Sequence, residues 1–349
     1  LSSPPAESAP TRIDYIDAWR FIAVVLVILS HLLLFSGINL PHTEEISLQI
    51  DRMGEIGVLI FFVISGFVIC SGLISEREKS GSVCLSAFCV RRFFRIIPAL
   101  WFYLIVISLL SFFGILETTR QQALTSFLFL CNMPFPAGCS WYAGHTWSLA
   151  YEEQFYLLFP LLFIFIPALN SSKKFAWLIA AITLCSVVAR FFNQLFLAEY
   201  LGYFLFLFTG CWAAFAKPVL LPKLRKMKVS TWFLFLLLLL VCLSFLPLIT
   251  EKYIKTICYP GLITILVLGT PTQNKLISLI FKNKHNCYLG RVSYSVYLWQ
   301  EPVTGNYMGW LTAAHLLAVF MFALLSFKYF ELPLQKLGSH FSKQLKLSN

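Results

Sequence analysis

The sequence predicts an all-α integral membrane protein, a bundle of about ten transmembrane helices with both termini in the cytoplasm. Three observations carry this. Of 349 residues, 58% are hydrophobic and only 12% charged, against about 25% charged in a soluble domain. Several apolar runs approach or exceed the ~20 residues needed to cross a bilayer. Basic residues gather in alternate loops, as they do on the cytoplasmic side of membrane proteins. The runs are continuous rather than alternating, which excludes a β-barrel.

In order, the expected spans are 18–37, 56–75, 96–116, 148–168, 175–196, 200–216, 231–250, 254–270, 287–306 and 310–330. Segment 123–130 is apolar but too short to cross, and reads as re-entrant or interfacial. One set of loops holds Arg77, Lys79, Arg91, Arg92 and Arg95, then Lys173 and Lys174, then Lys217, Lys223, Arg225, Lys226 and Lys228, then Lys275, Lys282 and Lys284. The opposite loops hold little beyond Arg52, Arg120 and Lys252, and 44–55 is acidic. This bias fixes the expected orientation. Residues 1–12, rich in Ser, Pro and Ala, read as a disordered cytoplasmic tail. They lack the basic and apolar regions of a cleaved signal peptide. Residues 13–333 read as one membrane domain without an internal repeat, and 334–349 as a short basic cytoplasmic tail.

A net charge of +11 would suit nucleic acid, but no extended soluble basic domain exists to carry that function. Basic cytoplasmic loops account for the charge, so the partner is the lipid bilayer. The ten cysteines show no metal-ligand spacing, and no metal is expected. Cys70, Cys185, Cys211 and Cys242 lie in apolar runs and read as small buried hydrophobes. Cys131 and Cys139 share a loop placed outside the cytoplasm, where they are either free thiols or a disulfide. Tyr15, Trp19, Trp101, Tyr103, Trp141, Tyr142 and Trp310 suit an interfacial aromatic belt.

Four clusters interrupt the apolar background. Arg20 and His31 lie eleven residues apart on the first span, on one helix face and about 16 Å apart along its axis. Ionisable groups in such a run usually face a protein interior or a water-filled path; the plain alternative for His31 is a buried imidazole bonded to a helix carbonyl. Arg91, Arg92 and Arg95 open the third span. Their guanidinium groups suit phosphate, although charge bias alone also accounts for arginines there. Trp147-Ser148-Leu-Ala-Tyr151-Glu152-Glu153-Gln154 opens the fourth span, where Thr146 or Ser148 is the expected cap and the helix dipole favours one acid. The second acid is unexplained by that. Ser293, Tyr294 and Tyr297 give the ninth span a polar stripe, and Glu301-Pro302 should kink or end it.

Together these clusters resemble the acyltransferase-3 family of membrane acyltransferases. The resemblance runs in order from about residue 13 to 333. Arg20 and His31 resemble its Arg-x10-His signature, and Phe61-Phe62-Val-Ile-Ser65-Gly66-Phe67 its second-helix block. Arg92-Phe-Phe-Arg95 with Pro98 resembles its Arg-x-x-Arg segment, and Trp147-Ser148-Leu-Ala-Tyr-Glu152 its Trp-Ser-Leu-x-x-Glu. Gly290-Arg-Val-Ser293-Tyr294-Ser295-Val-Tyr297-Leu-Trp299 resembles its ninth-helix block, and Glu331-Leu-Pro333 its closing motif. One departure stands out: the family usually has His after Tyr-Leu-Trp, where this chain has Gln300, which cannot titrate.

The resemblance implies transfer of an acyl group, most often acetyl, from cytoplasmic acyl-CoA to a hydroxyl of a surface glycan or lipid-linked saccharide such as lipopolysaccharide, exopolysaccharide or peptidoglycan. It places the chain in the cytoplasmic membrane. Some members carry a fused SGNH domain; none is seen here, so a separate downstream transferase is a candidate partner. The roles expected are His31 as general base or transient acyl carrier, Glu152 orienting His31 or holding the sugar, and Arg20 stabilising the thioester oxyanion. Arg92 and Arg95, with Arg91, would bind the donor phosphates. Tyr294, Tyr297 and Gln300 would line the acceptor pocket. A polytopic transporter or a non-catalytic subunit of a glycan-assembly complex are the alternatives.

Overall fold

The structure is a computed structural model that describes residues 14–35, 44–135, 138–167, 170–245, 248–304 and 312–347. The N-terminal tail and Trp310 lie outside these. Among the described residues every regular element is helical. They are α1 (Asp14–Phe35), α2 (Glu44–Ser80), α3 (Leu85–Phe112), α4 (Arg120–Phe127), α5 (Thr146–Phe165), α6 (Ser172–Phe191), α7 (Leu195–Phe215) and α8 (Lys217–Arg225). There follow α9 (Val229–Phe245), α10 (Leu248–Ile257), α11 (Tyr259–Leu268), α12 (Lys275–Phe281), α13 (Lys284–Trp299), α14 (Glu301–Thr304), α15 (Thr312–Ser326) and α16 (Leu332–Leu347). A π-helical turn, Phe327–Glu331, joins the last two.

Six helices are long and apolar enough to cross a membrane, and a seventh crossing results if α8 and α9, bent by 105°, form one span. The expected spans fall on helices, but α5, α11 and α13 fail that length-and-composition test because they are short or carry polar groups. Those polar groups build the site described below. Segment 123–130 overlaps the short helix α4, closed by a capping box between Thr119 and Gln122. The chain after 333 is more ordered than a tail: α16 continues the last span and packs on α3.

Close packing at the centre depends on missing side chains. Gly66 of α2 faces the Leu207 carbonyl of α7, and Gly210 of α7 faces the Val63 carbonyl of α2. Each lacks a β-carbon that would collide with the other backbone, the small-residue solution for helices in lipid. Gly290 brings α13 equally close to the Asp17 carbonyl of α1. Trp19 of α1 then donates its indole N–H to Thr270 (2.8 Å). Helices α1, α2, α7 and α13 thus form a tight centre, with α6 against α7 and α3 against α16.

Candidate active site

The centre encloses a cavity of about 90 Å³ lined by polar groups from five helices. Arg20 comes from α1, Ser65 from α2, Arg92 and Arg95 from α3, Ser148, Glu152 and Tyr156 from α5, and Arg291, Tyr294 and Tyr297 from α13. Members of all four sequence clusters therefore meet in one place. The arginines form a gradient: Arg95 and Arg291 are exposed, Arg92 is half-buried and the Arg20 side chain is only 17% exposed. Arg20 is paired with Asp17 at 3.0 Å. Arg92 stands over the Tyr156 ring at 5.3 Å. Among the described residues Arg92, Arg95 and Arg291 have no carboxylate partner within ion-pair distance, so their charge is available to an anion.

Glu152 is held deep in this cavity. Ser65 donates to its Oε1 at 2.5 Å and Tyr156 to its Oε2 at 3.1 Å. Ser65 immediately precedes Gly66, whose close approach to α7 fixes this stretch of α2. The first turn of α5 is built differently from the sequence expectation. Neither Thr146 nor Ser148 caps it; His145 takes the cap position without a side-chain bond to the helix. Thr146 instead donates to the Ala143 carbonyl (2.6 Å), and Ser148 shares a hydrogen bond with the Tyr297 hydroxyl (2.8 Å).

Arg91 is separated from its neighbours. Its guanidinium donates to Ser342 (2.5 Å) and pairs with Glu76 (3.1 Å), which also receives Lys346 (2.8 Å). It fastens α16 to α3 rather than lining the cavity, because Arg92 and Arg95, three residues apart, share a helix face that Arg91 does not. Tyr294 lines the cavity while donating to the Ile96 carbonyl (2.9 Å).

His31 and Gln300 lie outside the cavity and form a second cluster, about three helical turns along α1 from Arg20. Nδ1 of His31 is 3.2 Å from Gln300 Oε1 and 3.3 Å from Glu301 Oε2. Glu301 Oε2 also accepts from Gln300 Nε2 (2.7 Å) and lies 3.6 Å from His145 Nδ1. The carboxylate beside His31 is Glu301, while the oxygens of Glu152 are bonded to Ser65 and Tyr156. The sequence presents Glu301 beside a proline, as a helix terminator. Helix α13 does stop at Trp299 and α14 restarts at Glu301, and that break turns the carboxylate inward, where it is 4% exposed. His145 had no sequence signal beyond its place just before the Trp-Ser-Leu motif.

The two clusters touch through Tyr297. It lines the cavity, bonds Ser148 and donates to the His145 carbonyl at 2.9 Å. The arrangement offers a cationic recess for a polyanion, a hydrogen-bonded carboxylate within it, and a carboxylate-bound imidazole at the far end. Cys131 and Cys139 form a disulfide in the preceding segment, and Thr146 Oγ1 lies 3.0 Å from Cys131 Sγ. Among the described residues no group of three or more His, Cys, Asp or Glu side chains is placed to hold a metal.

Residues 13–328 match the model of a family described as an acyltransferase domain. The chain is 28% identical over 361 residues to peptidoglycan O-acetyltransferase OatA of Listeria monocytogenes, covering 93% of this chain and 56% of that protein. It is 26% identical over 377 residues to O-acetyltransferase OatA of Staphylococcus aureus, covering 95% and 58% respectively. It is also 26% identical over 328 residues to the putative peptidoglycan O-acetyltransferase YrhL of Bacillus subtilis, covering 82% and 51%. The chain thus spans about half the length of these curated relatives. No solved structure matches it.

Proposed function

The chain belongs to the acyltransferase domain family, and we propose that it is a membrane O-acyltransferase carrying an acyl group, acetyl first among them, from cytoplasmic acyl-CoA to a hydroxyl of peptidoglycan. The observation that carries this is the cavity in which Arg20, Arg92, Arg95 and Glu152 converge, coupled through Tyr297 to the His31 cluster.

Arg92 and Arg95 hold the donor's phosphates at the cavity mouth, assisted by Arg291. The donor's acyl arm runs inward past Tyr294 and Tyr297 toward His31. His31, its Nδ1 turned to Gln300 and Glu301, takes the proton of the acceptor hydroxyl as that oxygen attacks the thioester carbon. The C–S bond breaks, and the proton passes from His31 to the departing thiolate, so acyl thioester and alcohol become ester and thiol. Arg20 and Glu152 set the charge along the arm's path: Arg20 favours oxygen bearing negative charge, and Glu152 keeps the cavity from binding anions indiscriminately.

The membrane arrangement follows the same reading. Adding α5, α11 and α13 to the seven crossings gives ten, which returns both termini to one side. Basic loops assign that side to the cytoplasm, and with it the Arg92–Arg95 end of the cavity. His31 then lies toward the opposite face, in residues 13–333 of a multi-pass protein of the cytoplasmic membrane. The acceptor hydroxyl reaches His31 from outside, either that of the glycan itself or that of a separate downstream transferase that receives the acyl group and passes it on. Radiolabelled acyl-CoA added to proteoliposomes with glycan acceptor should give alkali-labile labelled ester. Substrate counterflow without acyl-CoA would instead identify a transporter.

A further inference from the structure

The Gln300–Glu301 pair answers a chemical question that the acyltransfer reading leaves open: which ring nitrogen of His31 is basic. A neutral imidazole has one protonated nitrogen, and the hydrogen bond at that nitrogen selects it. His31 Nδ1 faces two oxygens, Gln300 Oε1 at 3.2 Å and Glu301 Oε2 at 3.3 Å. The amide of Gln300 is fixed in the sense that presents its oxygen. Its Nε2 donates to Glu301 Oε2 at 2.7 Å, and Thr304 donates to its Oε1 at 3.1 Å. Reversing the amide would set its oxygen against the Glu301 carboxylate, while the Thr304 hydroxyl, which also faces the Gln300 carbonyl at 3.1 Å, tolerates either orientation.

Glu301 is fixed as tightly. Three nitrogens converge on its Oε2: Gln300 Nε2, His31 Nδ1 and His145 Nδ1, the last at 3.6 Å. The His145 side chain is 1% exposed, and neither ring nitrogen has a hydrogen bond among the described residues. Its ring is held edge-on against Tyr103 and Tyr297, with centroids 5.5 and 5.3 Å away. A buried imidazole without a hydrogen bond is costly. Glu301 Oε2, 3.6 Å from its Nδ1, is an acceptor able to receive its N–H.

We propose that Glu301 is a carboxylate shared by two imidazoles, and that with Gln300 it holds His31 as the neutral Nδ1–H tautomer, making Nε2 the basic nitrogen. His145, Gln300 and Glu301 are positioning residues in this arrangement. The proposal rests on the acyltransfer reading for its consequence but not for its geometry. It also explains how a chain with a non-titrating residue at 300 keeps a working base: the position needs an acceptor for Nδ1–H, and a glutamine oxygen supplies one.

The test is nitrogen-15 NMR of the histidine-labelled full chain in lipid, with the His31 signals assigned from a His31→Gln sample. At neutral pH, His31 should show protonated Nδ1 and bare Nε2, the reverse of the tautomer imidazole prefers in water. In Glu301→Gln, which keeps the shape, the Nδ1–H population should fall. That variant's kcat should drop about tenfold or more, with KM for acyl-CoA within about twofold. An Nε2–H tautomer or a doubly protonated ring in the unmodified chain overturns the proposal. So does a tautomer unchanged in a folded Gln300→Leu/Glu301→Gln double variant. Normal transfer by His31→Ala would defeat the acyltransfer reading instead, and would leave the tautomer result standing alone.

Discussion

At the scale of single residues, the proposed mechanism divides labour between charge and proton transfer. Arg92 and Arg95 line the cavity and have no carboxylate partner among the described residues. Substituting either by alanine should raise KM for acyl-CoA about tenfold, the value of a charge-assisted contact worth roughly 1.4 kcal/mol at a partly exposed site. kcat should change little, and raising acyl-CoA should restore the rate. Arg91→Ala should leave KM for the donor nearly unchanged, because Arg91 is committed to Glu76 and Ser342. Loss of a positioned general base costs about 10²–10⁴ in rate. The residues themselves were partly legible in sequence: Arg20, His31, Arg92, Arg95 and Glu152 stand out as ionisable groups in apolar runs. Their pairing was not. Glu301 reads in sequence as a helix stop and His145 carries no signal, since helix breaks and loops fold back in three dimensions without leaving a periodic trace.

At the scale of elements, the site depends on how closely helices approach. A β-carbon at position 290 would fall on the Asp17 carbonyl, and backbone cannot move aside as a side chain does. Gly290→Val should cost about 3 kcal/mol, the upper end of the usual overpacking penalty, seen as a lower Tm and less folded protein. Gly338 of α16 meets the Phe94 side chain, next in sequence to Arg95, and α16 is further tied by Arg91–Ser342 and Lys346–Glu76. Gly338→Leu should therefore displace the donor mouth and raise KM for acyl-CoA, with the unchanged enzyme as the control. The disulfide Cys131–Cys139 closes a short loop before α5. Its removal by Cys131→Ser should cost about 2–3 kcal/mol by chain entropy, checked by thermal unfolding in lipid. The sequence marked that pair as either free or bonded; eight residues of separation permit both, and only the loop's fold decides. It likewise marked 334–349 as a tail, because α16 has mixed polarity and becomes a helix through packing on α3 rather than by burial in lipid.

At the scale of the whole molecule, hydropathy identified the class of fold and most of the helices. It was least informative for α5, α11 and α13. Helices α5 and α13 spend polar residues on the cavity, and α11 has only ten residues. The same expenditure makes the bundle asymmetric: cationic groups at one end of the cavity and a carboxylate-bound imidazole at the other. A donor from one side and an acceptor from the other is the use proposed above for that asymmetry. The most direct measurement is transfer of radiolabelled acetyl from acetyl-CoA to peptidoglycan by the purified chain in proteoliposomes, comparing the unchanged protein with His31→Ala at matched amounts. Alkali-labile label should appear on the glycan, falling by about 10²–10⁴ in the variant; equal labelling by both proteins would rule out His31 as the base.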